Sequence, residues 1–116
     1  MSEWSLVYYE TANRRCPVQE YLDSLDSETA ARVKFDLDLL KEFGLGLGAP
    51  YVRSLGGKLW ELRTTGHPQC RVLYFAASGK RFVLLHGFAK KTQKTPRADI
   101  DTALQRMAEY RERMLR

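Results

Sequence analysis

Three stretches decide the fold: Lys58-Leu-Trp-Glu-Leu-Arg63, Arg71-Val-Leu-Tyr-Phe-Ala76 and Arg81-Phe-Val-Leu-Leu-His-Gly-Phe88. Each is rich in β-branched, aromatic or aliphatic residues, and a period of two runs through them, the signature of half-buried strands. The connections, one around Gly66 and Pro68 and the other Ser78-Gly79-Lys80, are short enough for antiparallel hairpins, so the sheet is predicted to be a meander. Alternation sends Leu59, Glu61 and Arg63 to one face and Trp60 and Leu62 to the other, where two large apolar side chains meet helices. In the natural hairpin register Arg71 joins Glu61 and Arg63 on an open, concave face. Phe75 lies on that face too, placed to stack on a base, while Val72, Tyr74 and Trp60 are expected in the core.

Upstream of these strands the pattern is helical. Trp4 to Tyr9 reads as a short first strand. Pro17 opens a helix with Val18, Tyr21, Leu22 and Leu25 on one face. A second helix begins at Asp26 and Ser27, which have the side-chain oxygens of capping residues. It buries Ala30, Val33, Leu37 and Leu40 and ends after Phe43 at Gly44-Leu-Gly-Leu-Gly48. That glycine run follows a helix and lacks a Gly-Lys-Ser/Thr ending, so it is not a phosphate loop. Downstream, Thr95-Pro96 reads as a cap and first residue of a last helix, which buries Ile100, Ala103, Leu104 and Met107 and leaves Arg106, Arg111 and Arg113 mostly exposed. The chain is therefore expected to be one α+β domain over residues 1–116, an N-terminal strand and helical hairpin on a twisted antiparallel sheet with a C-terminal helix.

Charge is divided unevenly along the 116 residues. Residues 1–50 hold five cations and nine anions, whereas residues 51–116 hold fourteen cations and five anions, a net of +9 within an overall +5. Between Tyr51 and Arg97 stand ten cations and a single carboxylate, Glu61. A surface so biased suits a polyanion, with guanidinium forks and ammonium groups to hold phosphates. Two cysteines, Cys16 and Cys70, are too few for a disulfide scaffold and have no CxxC spacing. The N-terminus has no basic start and long apolar stretch of a signal peptide, and no run approaches a membrane span, so a cytoplasmic protein with no membrane association is expected.

Leu59-Trp-Glu-Leu-Arg63, Arg71-Val-Leu-Tyr-Phe75 and above all Leu84-Leu-His-Gly-Phe-Ala-Lys-Lys-Thr-Gln-Lys-Thr-Pro96 resemble the phage-derived HigB-like branch of the RelE/ParE toxin superfamily. The resemblance implies a RelE-like α+β fold and the toxin component of a type II toxin-antitoxin system, bound and neutralised by a helix-turn-helix antitoxin in a hetero-oligomer. It implies a ribosome-dependent endoribonuclease, an mRNA interferase that inhibits translation by cutting mRNA without metal or organic cofactor; the alternative is a non-enzymatic, ParE-like inhibitor of a protein such as gyrase. By position, Arg71 matches the strand arginine that holds the scissile phosphate, with Arg63 a second phosphate ligand. Lys90 and Lys91 match the basic pair facing RNA, and Lys91 joins Arg71, Arg63 and Glu61 as catalytic candidates. Lys58, Phe75 and Lys94 complete the RNA-binding set. Leu59 and Glu61 stand where RelE carries lysines, and Tyr110 is no clear counterpart of RelE's late tyrosine.

Cleavage at a 2′-hydroxyl needs a proton acceptor, stabilisation of the phosphorane-like transition state and a proton donor to the 5′-oxygen. On the open face Glu61 is the only acid placed to act as base, and an ion pair with Arg63 or Arg71 is the other reading of it. General-base catalysis contributes about 10² to 10⁴ in rate, so positioning by a larger partner is needed as well. His86 reads either as the general acid or as a satisfied strand histidine, and His67 as an exposed turn residue.

Overall fold

The computed structural model describes residues 3–115. A five-stranded sheet lies between two helical layers. Its strands are β1 (Ser5–Tyr8), β2 (Val52–Gly56), β3 (Leu59–Thr64), β4 (Gln69–Ala77) and β5 (Arg81–Lys90), in the order β1-β5-β4-β3-β2. Strands β2 to β5 form the expected antiparallel meander, with β2 an edge strand that the sequence pattern had not revealed. β1 is added parallel to β5, Ser5 opposite Arg81, so the chain must cross from one sheet edge to the other before β2. Helices α1 (Pro17–Asp23) and α2 (Ser27–Phe43) make that crossing, and α3 (Arg97–Met114) closes the opposite face. The fold is α+β and RelE-like.

Each helical layer closes its own core. On the hairpin side Val18, Leu22, Val33, Leu37 and Leu40 pack on Val52, Leu62, Val72, Tyr74, Phe82 and Leu84. Trp4 stacks on Phe82 at 4.2 Å between ring centroids. Asp26 caps α2 by accepting from the Thr29 N–H at 3.0 Å, as its side chain predicts. On the other side Ala103, Met107 and Tyr110 of α3 cover Leu59, Leu73, Phe75, Val83 and Leu85.

The sheet face expected to be open is therefore half covered. Phe75 is 2% exposed, beneath Tyr110 and the Arg111 guanidinium, and has no surface to offer a base. Trp60, expected in the core, is 37% exposed, because it lies by the Gly44–Leu47 turn rather than under a helix. Arg106, expected outside, reaches under α3 to donate to the Leu85 carbonyl at 2.8 Å.

A β-bulge sets which side chains of β5 face α3. Leu73 pairs with His86 and Tyr74 with Leu84, so Leu85 is the extra residue. Leu85 and His86 consequently both turn towards α3, where His86 Nε2 meets the Asp99 carboxylate at 2.6 Å and Nδ1 meets the Arg106 guanidinium at 3.3 Å. This is the satisfied-histidine reading of His86. Alternation then returns Gly87 to the hairpin side, where the Tyr21 ring lies flat against it. A Cβ at residue 87 would stand 2.5 Å from Tyr21 Cδ2. Overpacking of this kind costs about 1–3 kcal/mol. Gly87→Ala is expected to lower the midpoint of thermal unfolding by roughly 4–12 °C, and Gly87→Ala with Tyr21→Ala is expected to lose less than the sum of the two single changes, as a thermal melt series measures.

Candidate nucleic-acid interface

Beyond the N-terminus of α3 the sheet face stays uncovered. A cleft of about 700 Å³ opens there, between the β3–β4 turn and the segment that leaves β5. Arg63, Arg71, Lys90, Lys91 and His67 line it, and no carboxylate does. Four of the predicted site residues thus come together. Lys94 is exposed on the same loop but does not line the cleft. Lys58 lies at the far end of β3 and lines a separate groove with Arg81 and Arg111, so it does not join the site.

The register sets the electrostatics. Arg63 is directly opposite Arg71 on the adjacent strand, both on the cleft face. Like charges so placed repel, and no carboxylate pairs with Arg63 among the described residues. Arg71 is 3% exposed and is held by the protein's own acceptors: the Cys70 carbonyl at 2.9 Å, the Thr64 carbonyl at 3.4 Å and Gln69 Oε1 at 3.1 Å. Its Nε, like that of Arg63, is buried without a hydrogen-bond partner. Burial, then repulsion from Arg63 and Arg53, pull the Arg71 guanidinium below its ordinary range, against the attraction of Glu61. Lys90 is lowered too, first by burial, with Arg71, Arg53 and Arg63 adding to it and Glu61 opposing. These cations share one field, with too little internal countercharge.

Glu61 is the countercharge, and its position corrects the expectation. It is 0% exposed, beneath the cleft rather than on an open face. Arg53, its cross-strand partner on β2, approaches Oε1 at 3.2 Å, and Arg71 Nε stands 3.9 Å away. Neither contact to Oε1 has the geometry of a hydrogen bond. Oε2 accepts from the Thr95 hydroxyl at 2.5 Å. Thr95, expected to cap α3, leaves that position to Pro96, whose side chain makes no capping bond.

The turn that walls the cleft is fixed from α2. Arg32 donates to the Thr65 carbonyl and weakly to that of His67, and Thr64 donates to Asp36 at 2.8 Å. Gly66, at φ +119°, takes a backbone conformation that side chains rarely adopt, in space the Arg32 guanidinium already fills. His67 was read as merely exposed. Its place in the turn joining the strands that carry Arg63 and Arg71 was the signal that it reaches the same cleft.

A carboxylate-free cleft lined by Arg63, Arg71, Lys90 and Lys91 thus stands at one end of a RelE-like meander. Residues 20–108 match the family described as phage derived protein Gp49-like, and the chain belongs to that family, which is RelE/toxin-like. No curated protein matches the chain.

Proposed function

We propose that the protein is a toxin that cuts mRNA, a ribosome-dependent endoribonuclease whose phosphate-binding cleft is lined by Arg63, Arg71, Lys90 and Lys91. One observation supports this reading: two arginines directly opposite each other in the sheet, with buried Nε groups that have no hydrogen-bond partner, in a cleft that no carboxylate lines. The repulsion between them is relieved by an anion that takes both guanidinium groups, and a phosphodiester passing through its transition state carries more charge than in its ground state.

In the cleavage step the 2′-oxygen attacks phosphorus and the bond from phosphorus to the 5′-oxygen breaks, leaving a 2′,3′-cyclic phosphate and a 5′-hydroxyl. One proton leaves the 2′-hydroxyl and one reaches the 5′-oxygen. Arg71 and Arg63 stabilise the phosphorane oxygens, and Lys90 and Lys91 hold the strand at the rim. His67 is the imidazole that lines the cleft, and it is assigned the proton transfer to the 5′-oxygen, with solvent taking the proton of the 2′-hydroxyl. A single such group, on an exposed turn, supports a modest rate on naked RNA and leaves strand positioning to the ribosome. A neutralising antitoxin would have to cover a strongly basic surface, which favours an acidic segment in that partner.

The test is induced expression of wild type and Arg71→Lys, with transcript ends mapped in the arrested cells. Wild type is expected to generate new codon-phased ends. Arg71→Lys keeps a positive charge but loses the planar fork, and is expected to reduce those ends at least about 10²-fold. Arrest with intact transcripts overturns the nuclease reading, and inhibition of gyrase supercoiling in that case puts a protein target in its place.

A further inference from the structure

We propose that Thr95 is a positioning residue, a latch whose hydroxyl binds buried Glu61 and thereby fixes the lysine loop over the cleft. Thr95 is 9% exposed, and the helix it precedes is capped by the next residue instead. Its oxygen donates to Glu61 Oε2 at 2.5 Å and accepts from Arg53 Nη2 at 3.2 Å, so one hydroxyl ties β2, β3 and the loop together.

The loop has two fixed points. At one end Lys90 is held in the sheet opposite Gln69. At the other stands Thr95. Between them Lys91, Thr92 and Gln93 line the cleft, and the only loop-internal bond among the side chains of the described residues runs from the Thr92 hydroxyl to the Lys94 carbonyl at 2.7 Å. A segment this short, anchored at both ends, has little freedom; without the latch its next anchor is the start of α3 at Arg97, and residues 91–95 gain freedom. Because the latch partner is the same carboxylate that faces Arg71, loop position and guanidinium position are set by one group. Glu61 then acts through Arg71 and Thr95, without contact to RNA, and it is a positioning residue as well.

The inference depends on the ribonuclease reading only for what the cleft holds, and the two fail separately. The first measurement is made on the free protein: backbone ¹⁵N order parameters of residues 91–95 in wild type, Thr95→Val and Thr95→Ser. Wild type and Thr95→Ser are expected near the rigid value of about 0.85, and Thr95→Val below about 0.6, with β3 to β5 unchanged. The second is binding of a single-stranded RNA oligonucleotide, where Thr95→Val is expected to weaken affinity about tenfold and Thr95→Ser to restore it. A loop equally ordered in Thr95→Val, or already mobile in wild type, overturns the latch. So does equal binding by the two variants of an RNA that wild type holds. If wild type binds no RNA and cuts none, the ribonuclease reading fails while the order parameters still decide the latch.

Discussion

Arg63→Gln is expected to cut transcript cleavage about 10²- to 10³-fold and relieve growth arrest while leaving the protein at least as stable as wild type. Loss of function and gain of stability are opposite in sign, and both follow from one register. Arg63 lies across from Arg71, both are at least half buried, and the nearest acid is committed to Arg53 and Thr95. Opposed like charges in a sheet cost about 0.2–1 kcal/mol. Glutamine keeps part of the aliphatic stem that covers the sheet and removes the charge. The midpoint of unfolding should therefore hold or rise by a few degrees. Removing one donor from a site that stabilises a developing oxyanion costs about 10² to 10³ in rate.

Inorganic phosphate separates these contributions. It should raise the melting temperature of wild type, because a ligand at a hundred times its dissociation constant stabilises by about 2.7 kcal/mol, and should do so far less for Arg63→Gln. A variant that melts well below wild type in the absence of phosphate would show that Arg63 serves the fold rather than the site. The arrangement is one in which stability is given up where binding occurs.

Much of this was legible in the sequence because it rests on local periodicity. The period-two runs, the proline at the start of α1, the aspartate cap of α2 and the apolar stripe of α3 each act over a few residues. What was missed depends on non-local partners. Leu59, Leu73, Phe75 and Leu85 are apolar on the same sheet face as Glu61 and Arg71, and that mixture required a cover over part of the face. The apolar stripe of α3 was the piece that fits it. β2 escaped because a short edge strand, Val-Arg-Ser-Leu-Gly, carries hardly any alternation, yet it supplies Arg53, without which the surroundings of Glu61 cannot be reconstructed. The bulge at Leu85 is a single-residue slip inside an apolar run, invisible to pattern reading. Arg63 and Arg71 came together through strand alternation and hairpin register, which hold between β3 and β4, and Lys90 and Lys91 through their place at the end of the last strand.

Glu61→Leu is expected to be among the most destabilising changes the protein can carry, and Arg71→Met is expected to rescue it in part. In Glu61→Leu the Arg71 guanidinium stays desolvated with Arg63 beside it and no acid nearby. Removing one member of a buried pair typically costs about 3–5 kcal/mol, roughly 12–20 °C in the melting midpoint of a domain of this size. Arg53 is 42% exposed along its side chain and turns to solvent at little cost, so the loss falls on Arg71. With both replaced by apolar side chains the buried charges are gone, and the double variant should melt above Glu61→Leu, a coupling that a double-mutant cycle reads directly. Glu61→Gln distinguishes support from catalysis. The amide preserves the shape and an oxygen for the Thr95 hydroxyl but removes the charge that faces Arg71, so a positioning role predicts that residues 91–95 stay ordered while the loss of cleavage is matched by weaker RNA binding. A general base predicts instead a fall of about 10² to 10⁴ in the cleavage rate with RNA binding unchanged. The burial of Glu61 beneath the cleft favours the first outcome, and single-turnover cleavage beside equilibrium binding on the same preparation decides it.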